Sequence, residues 1–460
     1  MRIHILGICG AFMGGIAALA RAAGHQVSGS DDNVYPPMST QLESLGIPLL
    51  KGYAVEHLKP APDLVLVGNA LSRGNPELET VLVRGLPYTS GPQWLAENVL
   101  RGQHVLAVAG THGKTTTSSM LAWILEQAGL KPGYLIGGLP RDFKSSARAG
   151  GGQYFVVEAD EYDTAFFDKR AKFLHYRPRT VVLNNLEYDH ADIYPDLASI
   201  QTQFQYLLRT VPRNGLIVAN AADVALQNVF AQGCWTPRET FSLAEGDWTA
   251  RHVAADGSAF TVAWRGKPAA MVQWRLLGKH NVVNALAAVA AAHHVGVIPS
   301  LAAEALIRFQ GVKRRLEVRA QVDGVTVYDD FAHHPTAIAA TLAGLRQHVG
   351  KQRIIALLEP RSASMKLGVH RDSLAAALAD ADRVFVYQAP NVTWDVTGAM
   401  QPLGAHASVS ADFSQLVDTV ATEVRSGDHV LIMSNGGFGG IHEKLIERLQ
   451  HKAAAATWPM

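Results

Sequence analysis

The chain has 460 residues, enough for about three domains of ordinary size. Apolar residues make up 48% and charged residues 18%, which excludes extended disorder, because this much apolar side chain offsets the entropy lost on folding. Lys and Arg number 41 against 40 Asp and Glu, so no global basic field exists to hold nucleic acid or anionic lipid. Two cysteines exclude a disulfide framework and a four-cysteine zinc site, and they fit a reducing cytoplasm.

The N-terminus offers two readings. Met1–Ala20 has an apolar stretch ending in Ala-Leu-Ala, which mimics a signal-peptide cleavage site. A strand over Arg2–Ile8, glycines at 7, 10, 14 and 15, and a second strand Gln26–Gly29 running into Asp31 instead predict the opening of a nucleotide-type fold. The second reading is preferred, because a signal peptide has no need of that sequel. A further strand, Asp63–Gly68, continues a parallel α/β alternation up to about Leu100. A second α/β unit opens with the strand His104–Ala109 and includes Tyr154–Val157, Thr180–Leu183 and Leu216–Ala219. Residues 240–277 alternate polar and apolar and predict a small antiparallel excursion. Helices are expected at His280–His294 and Leu301–Phe309. A third alternation uses strands Val325–Tyr328, Arg353–Leu358, Arg383–Tyr387 and His429–Met433. No apolar run is long enough to span a bilayer, and the small-residue tail Ala453–Met460 is expected to fray.

Three stretches carry chemistry. Gly110–Thr115 (Gly-Thr-His-Gly-Lys-Thr) lies between a strand and an apolar helix, where backbone N–H groups and the helix dipole cradle phosphate. Lys114 is placed to neutralise phosphate and the Thr115 hydroxyl to ligate Mg²⁺. The usual pattern begins two residues earlier with glycine, and Val108 stands there. The loop is expected to be exposed, with Lys114 pairing only with phosphate. Glu158 ends the strand Tyr154–Val157, within reach of a metal at a neighbouring loop, whereas Glu161 and Asp163 read as a solvated acidic loop. The third stretch, Asn184–His190, follows the strand Thr180–Leu183. His190 can be a metal ligand or a proton carrier there; the alternative is a capping loop with Asp189 or Asn185 holding backbone donors.

In this order, Gly110–Thr115, Glu158 and Asn185–His190 resemble the ATP-dependent Mur ligases. Leu277–Asn284 is similar to that family's adenine-side motif, Arg315–Glu317 to its central/C-terminal junction, and Asp330–Pro335 to the first loop of its C-terminal domain. The resemblance covers essentially the whole chain. It implies a three-domain α/β architecture: a Rossmann-like N-terminal domain (1–101), a central P-loop ATPase domain with a mainly parallel sheet and a small antiparallel excursion (102–312), and a Rossmann-like C-terminal domain (313–460). Residues 4–15 and 28–31 resemble the branch that takes UDP-N-acetylmuramate itself. Within it, Gly7–Met13, Glu359–Ser362 with Met365–Gly368, and Met433–Gly440 look like the arm that attaches the tripeptide L-Ala-γ-D-Glu-meso-diaminopimelate during murein recycling.

The resemblance implies ATP and Mg²⁺ as cofactors and small molecules as partners, with no nucleic acid and no membrane. ATP falls to Gly110, Thr111, His112, Gly113, Lys114, Thr115, Thr116, Asn281, Asn284, Arg315, Asp330 and His333. Metal falls to Thr115, Glu158 and His190, and catalysis to Lys114, His190 and Asp330. The UDP substrate falls to Gly10, Met13, Gly14, Gly15, Asp31 and Ser72, with simple packing the alternative for Met13 and Cys9. The peptide falls to Arg361, Ser434, Asn435 and Gly436. One departure stands out. Several branches carry a carbamoylated lysine after the Asp-His pair, and no lysine occurs between His190 and Arg209. The pairs His293-His294 and His333-His334 lack acidic neighbours at zinc-ligand spacing, and helix packing accounts for the first. Two other functions compete: addition of L-alanine, and a dinucleotide-dependent oxidoreductase that would leave Gly110–Thr115 without a task. No apolar helix stripe marks an oligomer interface.

Overall fold

The computed structural model describes residues 1–34 and 38–456. Three sheets follow one another along the chain. The first has five parallel strands in the order Leu49–Lys51, Gln26–Asp31, Arg2–Leu6, Leu64–Val67, Tyr88–Ser90. Its central strands are buried on both faces, which is why they read as short unbroken apolar runs.

The second sheet has ten strands, among them His104–Ala109, Tyr154–Glu158, Thr180–Leu183 and Leu216–Asn220, all parallel. The region read as a separate excursion is the far edge of this same sheet. Arg238–Phe241 pairs parallel with Leu216–Asn220 and with Trp248–Arg251, and Ala259–Trp264 and Lys267–Gln273 then continue antiparallel. The helix Lys279–His294 covers one face with an unbroken buried run, Ala285–Ala292, of alanines with Leu286 and Val289. His293 and His294 pack as expected. The His293 ring lies 5.2 Å from Trp248 and 4.7 Å from Trp264, and His294 Nδ1 lies 2.8 Å from Thr180 Oγ1.

The third sheet has six strands, ordered Glu317–Val322, Val325–Asp330, His429–Met433, Ile354–Leu358, Arg383–Tyr387, Ala407–Ser410. Only the first pairing is antiparallel. The closing helix Ile441–Ala456 extends into the stretch expected to fray, whose residues 457–460 lie outside the described residues. No helix among the described residues is long and apolar enough to cross a membrane.

The sheets are joined by packing rather than by linkers alone. Gly15, on the helix Ala11–Ala22, lies so close to the central strand Gly133–Leu135 that an added Cβ would sit 2.2 Å from Leu135 Cδ1. Between the second and third sheets, Lys313 N donates to Leu139 O at 3.0 Å, and Arg141 Nη2 donates to Glu317 Oε1 at 2.6 Å.

Candidate active site

The strand His104–Ala109 is flanked by Tyr154–Glu158 and Thr180–Leu183. Parallel register puts Val108 opposite Glu158 and Ala109 opposite Leu183, so the three chemical stretches leave the sheet at one edge. After Ala109 the chain needs a turn that L-residues resist. Gly110 (φ 136°) and Gly113 (φ 78°) supply it. Asn185 holds the loop from outside: its carbonyl accepts from Thr111 N at 3.1 Å and its Oδ1 from His112 N at 2.7 Å. Asn284 closes over Gly113, where a Cβ would sit 2.3 Å from Asn284 Oδ1. Asn281 instead ties the first turn of its helix to the preceding loop, donating to Leu277 O at 2.7 Å.

Lys114 overturns the expectation of exposure. Its side chain is buried, and its ammonium lies 2.8 Å from Glu161 Oε2 and 3.3 Å from Asp160 Oδ1. Glu161 overturns the solvated-loop reading as completely, being 2% exposed. Its second oxygen lies 3.0 Å from His190 Nε2, so one carboxylate joins the phosphate-loop lysine to the histidine. Burial alone lowers the Lys114 pKa, but Glu161 and Asp160 outweigh it and hold the ammonium charged. Burial likewise opposes ionisation of Glu161, and Lys114 and His190 reverse that, keeping it an anion. The His190 imidazole, disfavoured as a cation by burial, is pulled back up by Glu161. Asp163 is also buried, at the start of a hairpin with Asp168–Ala171, where Lys169 Nζ donates to it at 2.6 Å. That hairpin folds the acidic run inward, which linear spacing does not reveal.

Glu158 is positioned at both oxygens. Thr115 Oγ1 donates to one at 2.9 Å and Gly137 N to the other at 2.6 Å. A hydroxyl and a carboxylate are oxygen donors of the kind that Mg²⁺ takes, whereas His190, the third expected ligand, has its Nε2 on Glu161. Thr116 is buried in the first turn of the helix beginning at Lys114.

The C-terminal domain closes against this edge. Arg315, half-buried, points Nη2 at Thr115 Oγ1 at 3.4 Å and stacks over Phe331. Ser364 Oγ donates to Asp189 Oδ1 at 2.6 Å, and Thr336 Oγ1 to Glu187 Oε1 at 3.0 Å. His333 Nε2 lies 3.9 Å from Asp189 Oδ2. The fold also supplies the acidic neighbour that sequence spacing lacks: His112, Glu187 and His334 offer donor atoms within 4.8 Å of one another. Asp330 has a structural task here. Its oxygens accept from Leu316 N at 2.6 Å and Ala332 N at 2.7 Å, so it holds the junction loop together.

The loop after His429–Met433 is knitted internally. Ser434 N donates to Asp330 O and Gly436 N to Ser434 Oγ, so these two N–H groups are taken, contrary to the expectation that they bind a carboxylate. Asn435 Oδ1 is buried without a partner. Arg361 is half exposed and lies against Gly436, where a Cβ would meet its Nε at 2.2 Å.

At the N-terminal sheet, Gly10 caps the helix Ala11–Ala22 and Asp31 accepts from Cys9 N at 2.9 Å and Asn33 N at 2.8 Å. Ser72 is exposed in the loop after Leu64–Val67. Met13, Gly14 and Gly15 face inward: Gly14 meets Met38, Gly15 meets Leu135, and Met13 meets Gly91. On their Cβ side these three serve helix packing. Burial pushes the Cys9 thiol up to about 11, which removes it from thiolate chemistry.

Family profiles match nearly end to end: "Mur ligase family, catalytic domain" over residues 2–102, "Mur ligase middle domain" over 108–292 and "Mur ligase, glutamate ligase domain" over 314–436. A UDP-N-acetylmuramate–L-alanyl-γ-D-glutamyl-meso-2,6-diaminoheptandioate ligase of Escherichia coli K12 is 56% identical, over 99% of this chain and 100% of that protein. The UDP-N-acetylmuramate–L-alanine ligase of Desulforapulum autotrophicum is 33% identical, over 97% and 98%. The crystal structure of a murein peptide ligase from Psychrobacter arcticus 273-4 superimposes with a TM-score of 0.78 at 47% identity, covering 98% of this chain and 99% of that one. Sequence, fold and the convergence of the three loops on one sheet edge agree, and the chain belongs to the Mur ligase family.

Proposed function

We propose that this protein is an ATP-dependent ligase that joins L-Ala-γ-D-Glu-meso-diaminopimelate to the lactoyl carboxylate of UDP-N-acetylmuramate. The observation that carries the reaction class is the meeting of Lys114, Thr115, Glu158, Glu161 and His190 at the ends of three adjacent strands. The choice of tripeptide over L-alanine rests on 56% against 33% identity over comparable lengths.

In the proposed reaction a carboxylate oxygen attacks the γ-phosphorus and ADP leaves; the peptide amine then attacks the acyl carbon, phosphate departs and the amine nitrogen gives up a proton. Two anions must first meet. Lys114 would exchange Glu161 and Asp160 for the β/γ-phosphates, keeping its charge where negative charge is transferred. Mg²⁺, held by Thr115, Glu158 and His190, would add charge neutralisation. The acyl phosphate must also be kept from water, and the contacts of Arg315, Thr336 and Ser364 with the central domain support closure as the means. The backbone bonds of Asp330 argue against it as proton acceptor and leave His190 or an ordered water.

By domain, 1–101 takes UDP-N-acetylmuramate, 102–312 ATP and Mg²⁺, and 313–460 the peptide. ATP and a nucleotide sugar as substrates support a cytoplasmic location. The test is ADP release with UDP-N-acetylmuramate, comparing tripeptide with L-alanine. Faster release with tripeptide is expected; faster release with L-alanine overturns the assignment of this arm.

A further inference from the structure

Lys172 has no task in the reaction just described. It opens the short turn Lys172–His175 behind the hairpin strand Asp168–Ala171, and it is 5% exposed. Lys114 has carboxylate oxygens at 2.8 and 3.3 Å. Lys172, among the described residues, has no ion pair and no side-chain hydrogen bond at its ammonium. It faces two rings instead, 5.2 Å from the centre of Phe12 and 5.4 Å from that of Tyr162.

Those rings fix its place. Phe12 lies in the first turn of the helix after the N-terminal glycine-rich turn. Tyr162 packs with its ring 4.0 Å from that of His190. The ammonium therefore stands in the seam between the N-terminal domain and the phosphate-loop edge of the central domain. An ammonium on a residue this deeply placed, with no carboxylate or carbonyl against it, is poorly compensated for the water it has lost. Burial lowers the Lys172 pKa, while Asp160, Asp163 and Glu161 favour its charge from a distance. The missing partner is an anion.

We propose that Lys172 binds the lactoyl carboxylate of UDP-N-acetylmuramate, the group that accepts the phosphoryl. This rests on the ligase reading above. With the nucleotide diphosphate on the N-terminal domain and the ATP γ-phosphate at Lys114, the reacting carboxylate has to lie between them, where Lys172 points. Phe12 and Tyr162 flank the ammonium without accepting from it and leave its three donors to the substrate. The two buried lysines then divide the work: Lys114 neutralises phosphate, and Lys172 neutralises the carboxylate that attacks it. Both draw on Asp160 and Glu161 for through-space compensation.

The test uses the full chain as Lys172→Met and Lys172→Arg, with calorimetric titration of UDP-N-acetylmuramate and of UDP-N-acetylglucosamine, which lacks the lactoyl carboxylate. Lys172→Met is expected to weaken UDP-N-acetylmuramate binding about tenfold or more, as loss of a charged hydrogen bond does. It should leave UDP-N-acetylglucosamine unchanged and the KM for ATP within about twofold of wild type. Its melting temperature should not fall, since no ion pair or hydrogen bond of the ammonium is lost and a desolvated charge is removed. Lys172→Arg should recover part of the affinity. Equal weakening of both sugars would move Lys172 to the diphosphate and overturn the assignment. Unchanged binding, with or without a lower melting temperature, would make it a structural residue. Wild-type protein that binds neither sugar fails the ligase reading itself, before any variant is made.

Discussion

Lys114 occupies a pair that ligand binding has to break. Paired with Glu161 and Asp160, it is not a free cation waiting for phosphate, so its removal reaches beyond chemistry. Lys114→Ala should abolish ADP release and also destabilise the protein by about 3 kcal/mol, because Glu161 is left buried and uncompensated. Adding Glu161→Gln should restore the melting temperature without restoring turnover. Thermal unfolding of the single and double variants, beside an ADP-release assay, checks both halves; wild-type turnover by Lys114→Ala would refute the phosphate role. His190 allows a second prediction. His190→Ala should lower turnover severely and raise the Mg²⁺ concentration that half-saturates the rate, since one ligand of a small donor set is gone. Lost activity with unchanged Mg²⁺ dependence would point to proton transfer instead.

At the scale of the element, the phosphate loop is shaped by what surrounds it as much as by its own residues. Gly113 joins left-handed backbone to a hard steric limit, with Asn284 Oδ1 2.3 Å and Asn184 Nδ2 2.9 Å from where a Cβ would stand. Gly113→Ala should therefore strain the turn by about 1–2 kcal/mol and push Asn284 away, weakening ATP binding more than global stability. Comparing the KM for ATP with the melting temperature separates the two effects; an ATP KM equal to wild type would show that the loop tolerates the methyl. Strands of the sheet centres were legible because they are buried on both faces. His104–Ala109, Thr180–Leu183, Arg383–Tyr387 and His429–Met433 have the bounds read from apolar runs. The short hairpin Asp163–Ala171 was not, because it is polar and held by ion pairs and bulged pairing that leave no periodic pattern.

For the whole molecule, burial of uncharged histidines sets the response to acid. Burial pushes His104, His280 and His333 down to about 4. An unfolded histidine titrates near 6.5, so between pH 6.5 and 4 the unfolded chain binds more protons and stability falls as pH falls. The contribution is complete above pH 6.5. His190 acts in the opposite sense: its raised pKa adds stability at low pH that is lost as pH rises through it. The melting temperature should therefore drop steadily from pH 7 to 4.5. A flat profile across that range would mean that these rings are hydrated in solution.

Sequence alone determined the three α/β units, the order of the motifs and the identity of the phosphate loop, because each depends on local pattern: apolar runs, glycines where backbone turns left-handed, and Lys-Thr at a helix start. Tertiary structure decided which charges meet. Glu161 and Asp163 look alike in the sequence, yet only Glu161 bridges Lys114 and His190, because the hairpin that follows folds it inward. Gly14 and Gly15 look like a diphosphate turn but are filled by Met38 and Leu135 from other segments. Glu187 reaches His334 only because two domains close on one another. Pairing of charges depends on distance in space and on exclusion of water, and neither is encoded by position along the chain.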